Sequence, residues 1–465
     1  MKEVHIPLFQ FIEQVRQPPE VQSVEQRIRH FASIYSHYTE DQASAQSTRC
    51  IDCGNPYCQW KCPVHNRIPQ WLRLVAEGRI MEAADLAHQT NSLPEMCGQL
   101  CPQSQLCEGA CTLNDGLGAV TIGAIENYLA DTALRQGWRP DLSGVKAQPY
   151  RVAIVGAGPA GLACADRLAR LGIATDVFDK HPQIGGLLTF GIPQFKLEKR
   201  VVIRRRHILE GMGIQFHTGV EIGRDRSIDS LLGEYDAVFL GLGADAGIQA
   251  NVAGENMEGV YSALPFLITN IKPLLGYEAE TMDFKGKVVL VLGAGDTAMD
   301  CSRTSIRLGA KEVHCLYRRR EDDLHISDKD YKHAREEGVQ FHWLRQVTAF
   351  HGKERLSSVE VTHTRFNDEG KLQLTNKKEH LSADVVIIAY GFNAAKFDWF
   401  DPLGLQTKPN GLIQLDESPY PLQTHHPKIF AGGDLVLGAN LVVNAIAQGQ
   451  MAAQSIARYL TEEKS

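Results

Sequence analysis

Eight of the 11 cysteines fall between residues 50 and 111, in two runs: Cys50-x2-Cys53-x4-Cys58-x3-Cys62-Pro63 and Cys97-x3-Cys101-x5-Cys107-x3-Cys111. Thiolates select soft metals, and a polycysteine run closing on Cys-Pro suits a four-iron cluster, which needs ligands from several directions. Pro63 removes a backbone donor and turns the chain away at the last ligand. Structural zinc is the competing chemistry, but it favours paired Cys-x2-Cys knuckles, and only Cys50 and Cys53 have that spacing. The runs therefore predict two 4Fe-4S clusters. In two-cluster ferredoxins the last cysteine of a run ligates the other cluster. Crossed ligation follows: Cys50, Cys53 and Cys58 with Cys111 for one cluster, and Cys62, Cys101 and Cys107 for the other, with Cys97 a candidate fourth ligand.

Two glycine fingerprints come next. The β-branched run 151–155 leads into Gly156-Ala-Gly158-Pro-Ala-Gly161, and Asp179 ends the following strand. Glycines so placed allow a tight turn, close approach of a pyrophosphate and helix–strand contact, while the acid accepts from a ribose hydroxyl. A second glycine pair precedes Leu187, with Gly186 beside it, and Gly433-Asp434 puts a carboxylate at a late strand end. Together these predict FAD. The second fingerprint is Gly293-Ala-Gly295-Asp296-Thr297-Ala298, with alanine in place of the third glycine, which the pattern tolerates. Its second strand ends on Arg318, Arg319 and Arg320 instead of an acid. Guanidinium groups pair bidentately with a 2′-phosphate, so NADPH is expected over NADH, with Arg318 and Arg319 as the contacts.

The elements that must position these residues can be read coarsely. Apolar positions recur at helical spacing over 68–87 and 122–134, the latter ending near Gly137, with the cysteine runs in turn-rich segments between. Residues 139–144 read as a linker, after which strand–glycine–helix units occur at 151–179 and 287–317. The buried strand over 384–392 closes the second unit, and 429–434 returns to the first. The expected fold is α/β: a helical iron–sulfur domain (1–147), then two Rossmann-like domains, the NADPH domain (285–392) inserted into the FAD domain (148–284 and 393–465). The arginine run 204–206, flanked by Glu198, Lys199 and Glu210, reads as an exposed, solvated helix. His425 and His426 precede a proline without metal-ligand spacing and read as structural.

Composition narrows the function. With 48 Lys+Arg against 55 Asp+Glu the net charge is −7, without a basic domain to track nucleic acid. No apolar run approaches the ~18–20 residues that span a bilayer, and the first residues carry no signal-peptide pattern, so a cytoplasmic location is expected. A disulfide reductase needs a redox cysteine pair beside its flavin; outside the two runs only isolated Cys164, Cys301 and Cys315 exist. No catalytic side chain is nominated, because the redox chemistry belongs to the cofactors.

The segments 49–65, 106–114, 184–193 and 295–301, in this order and with these cysteine spacings, resemble the small (beta) subunit family of bacterial glutamate synthase. Its relatives are the N-terminal part of dihydropyrimidine dehydrogenase and certain ferredoxin-linked NADPH flavoproteins. The resemblance implies NADPH oxidation, with electrons passing through FAD and the clusters to a large (alpha) subunit carrying FMN, where glutamine and 2-oxoglutarate become glutamate. It also implies Glu126 as the alternative to Cys97. Residues 321–328 lack the proline expected there, which leaves the NADPH contacts after Arg319 open. The competing readings are the same electron module serving a pyrimidine reductase or a ferredoxin, and a zinc-stabilised scaffold that carries no current.

Overall fold

The computed structural model describes residues 9–280, 282–416 and 419–462. Its N-terminal part is helical, but the apolar period over 68–87 is split into helices Ile68–Ala76 and Ile80–Thr90. Gly78 is the reason. At φ +72° its N–H bonds Val75 O (3.0 Å) and Arg79 N–H reaches Leu74 O (2.9 Å), a Schellman closure that satisfies the last carbonyls. Helix Ile122–Arg135 ends the same way: Gly137 at φ +91° bonds Leu134 O (3.3 Å) and Trp138 bonds Ala133 O (2.9 Å). Trp138 then stacks on His88, ring centroids 3.9 Å apart, sealing a core built on Trp71, Leu72, Ile125 and Leu129. The first cysteine run spans the segment before helix Tyr57–Lys61, the helix and its end, and the second starts in helix Pro94–Leu100 and continues through the turns after it.

The first nucleotide-binding unit is a five-stranded parallel sheet in the order Ile429–Ala431, Ala237–Leu240, Arg151–Val155, Ala174–Asp179, Gln215–Thr218. Strands Arg151–Val155, Ala237–Leu240 and Ile429–Ala431 bury both faces, as a sheet covered by helices requires. Helix Val442–Glu462 lies against helix Pro159–Arg170 so closely that a Cβ on Gly449 would fall 2.1 Å from Ala160 O.

The second unit repeats the plan: Val260–Ser262, Val385–Ile388, Val288–Leu292, Glu312–Tyr317, Gln340–Trp343, all parallel. An antiparallel meander of Arg345–Gly352, Leu356–Phe366 and Leu372–Ser382 covers one side. Strand Val260–Ser262 corrects the expected junction at 284/285. The chain has already crossed into the second unit by residue 260, and a three-residue strand is too short to show as a hydrophobic run. Both crossings run together through Ala246–Gly247, paired antiparallel with Phe392–Asn393 and extended by Ile248 N–H to Gly391 O at 3.0 Å. Among the described residues no helix is long and apolar enough to cross a membrane.

Candidate functional site

Both glycine turns open on a single cleft of about 1160 Å³ at the C-terminal edges of the two sheets, where open α/β sheets bind ligands. In the first turn Gly156 has φ +105°, and a Cβ there would lie 2.3 Å from Gly241 O; a Cβ on Gly161 would lie 1.9 Å from Gly156 O. Gly158 is different. It lines the cleft and a Cβ on it would meet no protein atom, so the space it leaves belongs to whatever enters. Gly158 caps helix Pro159–Arg170, with proline where a free N–H is not needed, and the remaining first-turn N–H groups and the helix dipole favour an anion. The Asp179 carboxylate accepts from the N–H groups of Ala157 and His181, both at 2.7 Å, so it braces the glycine turn as well as lining the cleft. Burial, opposed by those two N–H bonds, leaves its pKa above the ordinary value.

Gly186, at φ +53°, packs against Gly158 and starts the short helix Leu187–Phe190, which forms one wall. Opposite it, Gly433 has φ +72° and donates to Gln448 Oε1 at 2.7 Å. Asp434 follows, its carboxyl pushed up to about 7 by burial in the cleft wall. A buried carboxyl short of donors beside a glycine cradle fits the hydroxyls of a ribityl chain.

In the second turn Gly293 has φ +112°, and a Cβ would lie 2.3 Å from Ala389 O; Gly295 caps helix Asp296–Arg307 and again faces open space. Ala298, standing for the third glycine, is fully buried against the sheet. Asp296 Oδ1 accepts from Ser327 N–H at 3.2 Å, and Thr297 lines the cleft beside it. Arg318 and Arg319 also line the cleft. Their carbonyls are engaged by Thr364 Oγ1 (2.6 Å) and Leu344 N–H (3.0 Å), while their guanidinium groups make no ion pair among the described residues. Arg320 turns away over the Phe366 ring, 4.9 Å from its centroid. From the loop after the arginines, His325 and Ser327 reach the cleft, which sequence reasoning had left open.

The thiols form two sets. Cys50, Cys53, Cys58 and Cys111 line one small, mostly apolar cavity. Cys101 lies against Cys97 and faces Cys107, Cys107 faces Cys62, and Cys62 faces Cys97; Cys107 also faces Cys58, so the sets adjoin. Burial pushes the Cys50, Cys58 and Cys62 thiols up to about 12, so bare thiolates are disfavoured there and a bound cation is needed to hold the charge. Among the described residues no three His, Cys, Asp or Glu side chains converge as tightly as one ion requires. Glu126 faces the second set; its Oε1 accepts from Asn66 Nδ2 (2.8 Å) and Asn91 Nδ2 (3.2 Å), and burial raises its pKa to about 8.

The second cysteine run borders the cleft directly, through Leu100 and Pro102. Its loop docks on the second unit: Gln105 Nε2 to Ile326 O, Ser104 Oγ to Asp328 Oδ2, and Lys329 Nζ to Gln103 Oε1, each 2.8 Å. The arginine run corrects the sequence reading. Helix Lys199–Gly211 faces the N-terminal domain, and Arg205 is fully buried, bonding both Glu95 oxygens at 2.6 and 2.5 Å and His88 Nε2 at 3.0 Å. Arg204 pairs with Asp131 (2.8 Å), and Arg206 with Glu210 on its own helix (2.8 Å) and Gln183 Oε1 outside it (2.9 Å). His425 and His426 lie away from the cleft, where His426 closes a turn through Lys428 N–H (3.3 Å). Lys196, Asp300 and Asp330 also line the cleft, and sequence reasoning gave none of them a role. Cys164, Cys301 and Cys315 are all buried.

Residues 150–449 match the pyridine nucleotide-disulphide oxidoreductase family, and residues 27–138 match the family described as dihydropyrimidine dehydrogenase domain II, 4Fe-4S cluster. The FprA structure of Mycobacterium tuberculosis in complex with NADPH has the same fold over 68% of this chain and 86% of that one, with TM-score 0.57 at 18% identity. Fold and matches define a pyridine-nucleotide flavoprotein oxidoreductase preceded by a 4Fe-4S domain. Glutamate synthase [NADPH] small chains are similar over nearly the whole length. That of Halomonas elongata is 52% identical over 462 residues (97% of this chain, 98% of that one), and that of Escherichia coli K12 is 51% identical over 467 residues (97% and 99%). The chain belongs to the glutamate synthase [NADPH] small-chain family. It is an NADPH oxidoreductase with FAD and 4Fe-4S clusters as its redox groups.

Proposed function

We propose that this chain takes electrons from NADPH and delivers them, through FAD and two 4Fe-4S clusters, to a large (alpha) subunit carrying FMN that makes glutamate from glutamine and 2-oxoglutarate. One observation carries the reading: a single cleft joins both glycine turns and reaches the second cysteine run at Leu100 and Pro102. The small chains it resembles supply the partner by their name.

The residues divide the binding task. FAD is assigned to Gly156, Gly158, Gly161, Asp179, Gly186, Leu187, Gly433 and Asp434, with the pyrophosphate at the N-terminus of helix Pro159–Arg170. NADPH is assigned to Gly293, Gly295, Asp296 and Thr297, with the guanidinium groups of Arg318 and Arg319, which make no ion pair among the described residues, for the 2′-phosphate. Cys50, Cys53, Cys58 and Cys111 are the ligands of one cluster, and Cys62, Cys101, Cys107 and Cys97 those of the other. Cys97 is preferred to Glu126 because a thiolate is the softer ligand and both asparagine amides already occupy Glu126 Oε1. When bound, these groups supply a two-electron acceptor for the nicotinamide and one-electron carriers beyond it. The protein contributes order. Cys101 of the second set sits between Leu100 and Pro102, which line the cleft, whereas Cys58 of the first lies on a short helix whose Tyr57 and Trp60 are exposed. No side chain has to move a proton.

Anaerobic preparation with iron and flavin analysis tests this, and about eight irons and one FAD per chain are expected. NADPH should bleach the flavin and reduce an artificial dye, while glutamate should appear only when a large subunit is added. Zinc in place of iron, or a flavin that NADPH leaves oxidised, sinks the reading.

A further inference from the structure

The covalent connection between the two nucleotide-binding units is slight. Both crossings pass through the two-residue ribbon Ala246–Gly247 with Phe392–Asn393. Such a ribbon leaves rotation of one unit against the other open, so their orientation must be set by contacts elsewhere. One cluster of such contacts lies in the cleft. Lys196, from the first unit, reaches across to two acids of the second: Nζ lies 3.0 Å from Asp300 Oδ1 and 2.9 Å from Asp330 Oδ2. All three side chains line the cleft that holds both glycine turns. Asp300 stands on the helix of the second fingerprint, one turn in from its first residue.

The neighbour of Lys196 extends the contact. Phe195 is fully buried, with Arg303 stacked over its ring at 4.5 Å and Arg307 at 4.1 Å, both from the second unit. Arg303 also pairs with Asp330 at 3.2 Å, so the cation–π contacts and the lysine bridge share members. The N-terminal segment closes the other side: Arg27 bonds Glu337 (2.9 Å) and Glu336 (2.7 Å), and Tyr35 Oη bonds His333 Nε2 (2.8 Å). The four cations Arg27, Lys196, Arg303 and Arg307 face the four anions Asp300, Asp330, Glu336 and Glu337. All three parts of the chain contribute charges to this cluster. Separating the units would leave Lys196 and Asp300 without each other and strip Phe195 of its cations.

We propose that Lys196, seated beside Phe195, is a positioning residue: a latch that holds the second unit against the first in the one orientation where nicotinamide and flavin meet. It acts through Asp300 and Asp330 and touches neither reacting atom. The inference rests on the assignment of FAD to the first glycine turn and NADPH to the second.

The test uses the full-length, FAD-loaded protein and Lys196→Met, with Lys196→Arg as the conservative variant. Amide hydrogen exchange should quicken in K196M over 246–250, 391–393 and 326–330, and K196R should restore it. In rapid mixing with saturating NADPH, flavin bleaching should slow by roughly tenfold to a hundredfold in K196M, the loss expected when reacting groups are misplaced by about an ångström. Binding of 2′,5′-ADP, which needs the second unit alone, should be unchanged. Unaltered exchange at the ribbon, or bleaching at the wild-type rate, overturns the latch. Failure of 2′,5′-ADP to bind the wild-type protein instead overturns the nucleotide assignment beneath it. Should K196M not retain FAD, the charge-balanced K196M/D300N pair, which strands no single acid, is read by the same exchange and bleaching criteria.

Discussion

Glu337→Gln should destabilise the protein strongly although residue 337 touches no ligand site. Three arginines meet on this one carboxylate. Its Oε1 accepts from Arg27 Nε (2.9 Å), Arg303 Nη2 (3.0 Å) and Arg307 Nη2 (3.2 Å), and its Oε2 from Arg303 Nε (3.1 Å) and Arg307 Nη1 (2.7 Å). Burial by itself raises the pKa of Glu337, and the arginines, Arg307 foremost, overcome that and bring it down to about 2. A carboxyl depressed on folding stabilises the native state above its unfolded value near 4.5 and loses that contribution as the pH falls towards 2. The shift corresponds to about 3 kcal/mol at neutral pH. The amide of E337Q leaves one buried positive charge in excess, a loss of about 3–5 kcal/mol for one broken partner of a buried pair. Thermal unfolding followed by circular dichroism should then show a midpoint lower by roughly 3–5 °C at neutral pH. The gap between wild type and variant should narrow as the pH is lowered from about 4.5, because the wild-type carboxyl is itself losing its advantage. A variant that melts within about 2 °C of wild type at neutral pH, or a gap as wide at about pH 3 as at pH 7, refutes the reasoning.

Arg318→Ala and Arg319→Ala should each raise the KM for NADPH about tenfold to a hundredfold, as loss of a charge-assisted contact of about 1.5–3 kcal/mol predicts, and leave the KM for NADH nearly unchanged. An equal loss with both nucleotides in steady-state assays would argue against a 2′-phosphate contact. Gly161→Ala places a methyl group 1.9 Å from Gly156 O, so the turn must open and purified protein should carry markedly less FAD, read from its flavin absorbance. Full flavin content in G161A would falsify that account of the turn. Serine at Cys50 or Cys111 should remove the same four-iron cluster, and serine at Cys62 or Cys101 the other, about four irons each by chemical analysis and electron paramagnetic resonance. Pairing of Cys50 with Cys62 in that analysis would mean that each run holds its own cluster.

Much of the fold was legible because its signals are local. Gly156, Gly293 and the strands before them announce two nucleotide-binding turns, since only glycine sits at φ +105° or +112° with a carbonyl 2.3 Å from where its Cβ would be. The cysteine spacings are equally local, and of the thiols they mark, Cys50, Cys53, Cys58 and Cys111 line one cavity of the fold. Where reading fell short, the signal was weak or doubly interpretable. Gly78 lies inside an unbroken apolar period and could have been a tolerated helical glycine; only its positive φ makes it a helix end. Strand Val260–Ser262 adds three residues to the second sheet, too few for an alternating pattern to show.

The charged interior had no local signal at all. A run such as 204–206 reads as solvated because charge is usually exposed, and burying it requires a partner. The partner is far away in the chain: Arg205 meets Glu95 at a separation of 110 residues, and Arg27 meets Glu337 at 310. Periodicity within one helix cannot see such a pairing. In a chain of several units the faces between them are more polar than the cores, so the contacts that set unit against unit are the ones written in charged residues. These are the residues a sequence reading assigns to solvent. Lys196, Asp300 and Asp330 make pairings of this long-range kind, and they line the cleft that holds the two nucleotide turns. The binding motifs thus show which groups the protein holds, whereas how those groups are brought face to face depends on pairings between residues far apart in the chain.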